Sequence, residues 1–79
     1  MVIWVSGPDK QVLGYLSVED FCAMTDYPMP PDGRGIRDGV EVYRTDQYIF
    51  GALRTSKHKP TLRWSQEHQL IEPLPPQST

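Results

Sequence analysis

The sequence is short of cysteine and of long hydrophobic runs. Its 79 residues contain a single cysteine, Cys22, so no disulfide can form within the chain. One unpaired thiol favours a reducing compartment, and we expect a cytoplasmic protein. No stretch approaches the roughly 20 consecutive apolar residues that a membrane helix needs, so we expect no membrane partner.

Patterns for metals and cofactors are also missing. The candidate metal ligands Cys22, His58 and His68 are widely spaced and match no zinc pattern. The segment 32–35 (Asp-Gly-Arg-Gly) has too few glycines for a phosphate-binding loop and lacks the Lys-Ser/Thr ending. We therefore expect neither a metal nor a cofactor.

Support for catalysis is weak. A catalytic nucleophile needs a nearby base and a group that orients the base. Cys22 falls on the apolar side of a predicted helix, His58 stands between two lysines, and the adjacent acids Glu19 and Asp20 suit a helix start. We predict that the chain is not an enzyme.

A chain of this length buries little apolar surface. At about 25 cal/mol per Å², the gain from burial roughly balances the loss of chain entropy in such a small domain. Small domains therefore gain stability from disulfides, metals or self-association. Because the sequence indicates neither of the first two, we keep a homodimer and a monomer as equal alternatives.

The first third of the sequence predicts a hairpin followed by a helix. Residues 2–5 and 12–16 are β-prone and flank Ser-Gly-Pro-Asp-Lys, which is turn chemistry. Ser17 suits a helix N-cap, with acidic residues in the first helical turn. The helix should end by Asp26, because residues 27–35 contain three prolines and two glycines and predict a loop.

The middle of the sequence predicts a second hairpin and a second helix. Asp-Gly at 38–39 indicates a tight turn between a short arm at 36–37 and a longer arm at 40–43. Thr45 suits the N-cap of a helix ending near 55–56, whose apolar stripe comprises Tyr48, Ile49, Ala52 and Leu53. Gly51 disfavours that helix, so a strand through 48–50 is the alternative. Residues 61–64 are compatible with a short strand.

These elements predict one small α+β domain over residues 1–72, with a disordered, Pro-rich tail at 73–79. The sheet is expected to be mainly antiparallel, built from the N-terminal hairpin and the second hairpin, and packed by one or two short helices. Deleting the tail should leave the fold intact, although its PxxP pattern also fits docking in an aromatic groove. The expected core consists of Ile3, Val5, Leu13, Phe21, Val42, Ile49 and Leu53.

Positive charge is concentrated in one block. Of the eight lysines and arginines, seven lie between residues 34 and 63. The candidate binding residues are these cations, apart from Arg44, with a neighbouring histidine and tryptophan: Arg34, Arg37, Arg54, Lys57, His58, Lys59, Arg63 and Trp64. Cations beside an aromatic ring suit contact with nucleic acid. They equally suit solvation of a helix end or contact with an acidic protein surface.

These patterns favour a binding protein. We predict a non-catalytic binding or regulatory module that acts by protein–protein interaction, as an inhibitor or adaptor. The alternative is a DNA- or RNA-binding accessory factor that uses residues 34–64, and a structural subunit of an assembly is a third option. The acidic isoelectric point, about 5.5, argues against non-specific binding to DNA.

Overall fold

A computed structural model describes residues 1–30, 34–54 and 57–75. The elements within these residues are β1 (Val2–Ser6), β2 (Val12–Leu16), α1 (Val18–Thr25), β3 (Glu41–Arg44), β4 (Ile49–Leu53), β5 (Leu62–Ser65) and β6 (Leu70–Pro73). Sheet A has the strand order β2-β1-β4-β3, and sheet B is the β5–β6 hairpin. Every strand pair is antiparallel. The α+β class with a mainly antiparallel sheet and one short helix is therefore confirmed.

The N-terminal hairpin and the first helix form as predicted. In the turn between β1 and β2, the amide of Gly7 donates to the carbonyl of Gln11 at 2.9 Å. The hydroxyl of Ser17 accepts a hydrogen bond from the amide of Asp20 at 3.1 Å, which satisfies one free amide of the first helical turn. The helix ends at Thr25 and is capped by Asp26, which adopts a left-handed conformation with φ 56°. Within the described residues, no helix is long and apolar enough to span a bilayer.

The second helix predicted from Thr45 is wrong. The Thr45 hydroxyl instead accepts hydrogen bonds from the amides of Gln47 and Tyr48, at 3.2 and 3.0 Å, and closes a turn that leads into β4. β4 lies between β1 and β3 and is largely buried on both faces. A strand of this kind has a continuous apolar run, which periodicity does not distinguish from a buried helix. The alternative of a strand is confirmed, although β4 begins at Ile49 rather than at residue 48 and extends to Leu53. Residues 55–56 lie outside the described chain.

A second hairpin is present, but its turn and its arms differ from the prediction: it joins β3 to β4. Residues 38–39 form a turn with Gly39 at φ 79°, but residues 36–37 are not a strand. The partner of β3 is β4, and the turn at 45–48 connects them. The amide of Gly39 donates to the carbonyl of Ala52 at 2.6 Å, so the 38–39 turn packs against the end of β4.

The core lies between sheet A, α1 and sheet B. It contains Ile3, Val5, Leu16, Phe21, Met29, Phe50, Ala52 and Leu62. The rings of Phe21, Tyr27, Tyr43 and Phe50 contact one another at centroid distances between 5.2 and 6.2 Å. Ile3, Val5 and Phe21 are buried as expected, and Val42 packs against the cluster while half-buried.

The other three expected core residues differ: Ile49 is buried as expected, Leu53 is half-buried, and Leu13 is exposed. Leu13 is 50% exposed, because Val5 pairs with Gly14 and Ser6 with Val12, which leaves Leu13 in a bulge. Ile49 is buried and Leu53 is half-buried, but neither belongs to the core cluster. They alternate with Phe50 and Ala52 along β4 and so face the other side of sheet A.

The predicted tail begins too early. Pro73 is the last residue of β6 and pairs with Leu62, and the amide of Leu74 donates to the carbonyl of Thr61 at 3.0 Å. The tail prediction is therefore wrong for Pro73 and Leu74, and residues 76–79 lie outside the described chain. Thr61 also bonds to Tyr15, since its amide donates to the Tyr15 carbonyl at 2.8 Å. This contact fastens the start of sheet B to β2.

Candidate functional site

The side of sheet A turned away from α1 carries a groove of about 630 Å³. We call this surface the open face. Side chains alternate across a strand, so the residues between the core positions of β1, β2 and β4 supply its floor: Trp4, Val12, Tyr15, Ile49 and Leu53. Charged and polar groups surround this apolar floor.

A row of four paired residues, two of them aromatic, crosses the open face. Tyr15 pairs with Trp4, Trp4 with Gly51, and Gly51 with Glu41, so these four residues lie side by side on the four strands. The indole of Trp4 lies over Gly51, where a Cβ atom would overlap the ring. The indole Nε1 donates to the carbonyl of Gly39 at 3.2 Å. The ring is therefore fixed in the floor by a close approach and a hydrogen bond.

The β2 end of the groove is basic. The rings of Tyr15 and His58 are stacked, with centroids 4.3 Å apart and planes 9° from parallel. Lys57 and Lys59 flank His58 and are exposed, and Lys10 lines the groove from the first turn. Among the described residues, none of these three lysines forms an ion pair. Their charges are available to a ligand.

The charged side chains at the β3 end of the groove form hydrogen bonds within the protein. The guanidinium of Arg44 donates to the Glu41 carboxylate at 2.9 Å, and this hydrogen bond raises the pKa of Arg44. Asp38 accepts a hydrogen bond from the backbone amide of Arg54 at 2.6 Å. The groove is thus electrostatically asymmetric, with unpaired cations at one end and compensated charges at the other.

The eight predicted site residues do not form one surface. His58 reaches the open face, with Lys57 and Lys59 beside it in the chain. Arg54 secures the loop before β3, because its guanidinium donates to the carbonyl of Ile36 at 3.3 Å. Arg34 and Arg37 are exposed and lie in the segment 34–40 that leads into β3.

Arg63 and Trp64 lie on sheet B. Arg63 donates to the Glu72 carboxylate of the paired strand at 2.8 Å, and His68 lies 3.2 Å from the same carboxylate. Hydrogen bonds from Arg63 and then His68 hold the pKa of Glu72 below its ordinary value. Trp64 is the next residue on β5, so its side chain leaves the other face of that strand.

Trp64 lines a second, smaller depression of about 280 Å³. We call it the Trp64 notch; its lining residues are Met24, Thr45, Asp46, Gln47, Tyr48, Trp64 and Gln69. None of the candidate cations lines it. Trp64 and the candidate cations therefore do not line a common depression.

Trp4 and Tyr15 were not among the predicted site residues. Their signal is the alternation along residues 2–5, where Ile3 and Val5 share one side and Trp4 takes the other. Within the described residues, no group of three or more His, Cys, Asp or Glu side chains is placed to hold a metal ion. Cys22 is half-buried against the core.

Comparison with known proteins gives no significant match. No family model matches the sequence, and neither a curated protein nor a solved structure matches the chain.

Proposed function

We propose that the chain is a non-catalytic binding module that regulates a larger protein through protein–protein interaction, as an inhibitor or adaptor. Its contact surface is the open face. The observation that supports this is the placement of Trp4 and Tyr15 side by side in the floor of a groove of about 630 Å³. Trp and Tyr, together with Arg, are the residues that most often dominate binding energy at interfaces.

The surroundings of the two rings suit a protein partner. Val12, 60% exposed, extends the apolar floor toward the bulge at Leu13, which is also exposed. Lys10 and the Arg44–Glu41 pair border the floor, and a charged border orients a partner more than it adds affinity. The single cysteine favours a reducing setting, so the cytoplasm is the proposed location.

Photo-crosslinking tests this proposal directly. A photoreactive residue at position 12, in the native host, should yield a discrete protein adduct because Val12 lines the open face. Tyr15→Ala should reduce that adduct at least fivefold, and circular dichroism of the variant should show that the native fold is retained. The readout is the mass of the adduct by gel and mass spectrometry, and a mass of two chains would identify a second copy as the partner.

The matched control is the same photoreactive residue at Glu67, which is exposed in the turn between β5 and β6. It should give no specific adduct. Equal adducts from both positions, or an adduct from position 12 that Tyr15→Ala leaves unchanged, would show that the open face is not the contact surface.

Single-stranded nucleic acid is the second candidate partner. The observation that favours it is the stacking of His58 on Tyr15 between Lys57 and Lys59. Aromatic rings that stack on bases, beside cations that contact the phosphates, are what single-strand binding uses. The acidic remainder of the chain opposes it, since the formal net charge is −2.

A salt titration measures this second activity. With a fluorescein-labelled oligothymidylate, we expect no binding at physiological salt and weak binding at low salt. Three neutralised phosphates would give a log–log slope of about −2 for a single strand. Lys57→Glu with Lys59→Glu should abolish the anisotropy change, whereas Arg63→Gln, on sheet B, should preserve it. Clear wild-type binding at physiological salt would make nucleic acid the better account.

A further inference from the structure

The Trp64 notch lies where the last turn of α1, the 45–48 turn and β5 meet. We propose that it binds a cationic side chain of a partner, an alkylammonium or guanidinium group. This goes beyond the proposed function, because the notch is a second surface that shares no lining residue with the open face.

The walls of the notch include two aromatic rings and a methionine side chain. Trp64 and Tyr48 are half-buried, and Met24 completes the apolar lining. An aromatic face attracts a cation through its negative quadrupole, and tryptophan does so most strongly. The volume, about 280 Å³, accommodates the end of one side chain rather than a peptide segment.

The charges around the notch are negative. Asp46 lines it and is exposed, and no partner engages its carboxylate within the described chain. The carboxylate of Asp20 bonds to the Trp64 amide at 3.1 Å. The last turn of α1, which supplies Met24, contains no basic residue and is followed by Asp26. Because a helix C-terminus carries partial negative charge, the end of α1 and the lining carboxylate of Asp46 both favour a cation.

None of the described residues that line the notch is a cation. Arg44 and Arg63 each directly precede a lining residue in sequence, but Arg44 is paired with Glu41 and Arg63 with Glu72. Arg63 also leaves the opposite face of β5 from Trp64. Within the described residues, the Asp46 carboxylate therefore has no cationic partner, which distinguishes the notch from the β3 end of the open face.

The walls are held in place without a ligand. The Thr45 hydroxyl fixes the 45–48 turn through the amides of Gln47 and Tyr48. Asp20 fixes β5 through the Trp64 amide, and its own amide is fixed by Ser17. A preformed site loses little conformational freedom when it binds, so even a small cation should bind measurably.

Nuclear magnetic resonance gives the test. The two tryptophan indole N–H signals of the wild-type protein are assigned with Trp4→Phe, and the protein is titrated with N-acetyl-arginine amide. We expect a saturable shift of the Trp64 signal. The neutral isostere N-acetyl-citrulline amide should bind at least tenfold more weakly, which corresponds to about 1.4 kcal/mol.

Variants separate the charge from the fold. Asp46→Asn, at an exposed position, should weaken arginine amide binding at least threefold. Glu67→Gln also removes one negative charge, but Glu67 does not line the notch, so this variant should bind arginine amide as the wild type does. Trp64→Leu should abolish binding and Trp64→Phe should retain part of it. If Trp64→Leu does not fold, the comparison of arginine amide binding by the Asp46 and Glu67 variants still tests the proposal.

The proposal is overturned if citrulline amide binds as well as arginine amide, if the shift appears at Trp4, or if Asp46→Asn has no effect. Tyr15→Ala, which disables the proposed protein contact at the open face, should leave arginine amide binding unchanged. The two proposals can therefore fail separately.

Discussion

Replacing Gly51 with alanine is expected to destabilise the protein by about 1–3 kcal/mol or more. Glycine is normally a poor strand residue, so the same change in an ordinary strand would stabilise it. Here the added Cβ would overlap the indole of Trp4, which lies over the glycine. The indole cannot move freely, because its Nε1 is bonded to Gly39. Denaturant unfolding of the two proteins measures the difference.

A double-mutant cycle isolates the cause. In a Trp4→Ala background the space over residue 51 is empty, so Gly51→Ala should become neutral or stabilising there. The coupling energy between the two positions should then exceed about 1 kcal/mol, as is common for residues in contact. An equal loss of stability in both backgrounds would show that the close approach of the indole is not the reason.

The parts of the fold that the sequence predicts are those fixed by local chemistry. The turn that begins at Gly7 and the N-cap at Ser17 each act through residues a few positions apart. Their signals are present in a short window of sequence. For the same reason the ends of β1, β2 and α1 match the prediction closely.

The predictions are wrong where the local structure depends on pairing with strands that are distant in sequence. Thr45 has the chemistry of an N-cap, and its hydroxyl does accept amide hydrogen bonds, but the segment after it enters the sheet. β4 is a strand because β1 and β3 pair with it on either side. The sequence of β4 alone does not indicate these two neighbours. Leu13 is exposed because of a bulge, which depends on the register between β1 and β2.

The open face could be predicted only in part. The alternation in β1 places Trp4 opposite Ile3 and Val5, and this much follows from the sequence. The groove also requires that Tyr15 and Gly51 flank Trp4, which is a matter of register across three strands. The basic block appeared as one site because it is continuous in sequence, whereas β5 sends Arg63 and Trp64 to opposite faces.

The remaining large effect concerns two residues to which the sequence assigned similar importance. Phe21→Ala should cost about 3–5 kcal/mol, because the ring is fully buried among other aromatic rings and its loss leaves a cavity. Leu53→Ala should cost no more than about 2 kcal/mol, because Leu53 is half-buried and lines the open face. Urea unfolding at a single temperature, followed by circular dichroism, gives both values.

The total stability of a domain of this length is about 4–12 kcal/mol, so Phe21→Ala removes a large part of it. If that variant does not fold, Phe21→Leu keeps most of the volume and should retain a native state that is measurably weaker than the wild type. Leu53→Ala additionally separates packing from binding: it should alter crosslinking at position 12 while the fold persists. A cost for Leu53→Ala equal to that of Phe21→Ala would mean that Leu53 belongs to the core and that the open face is covered.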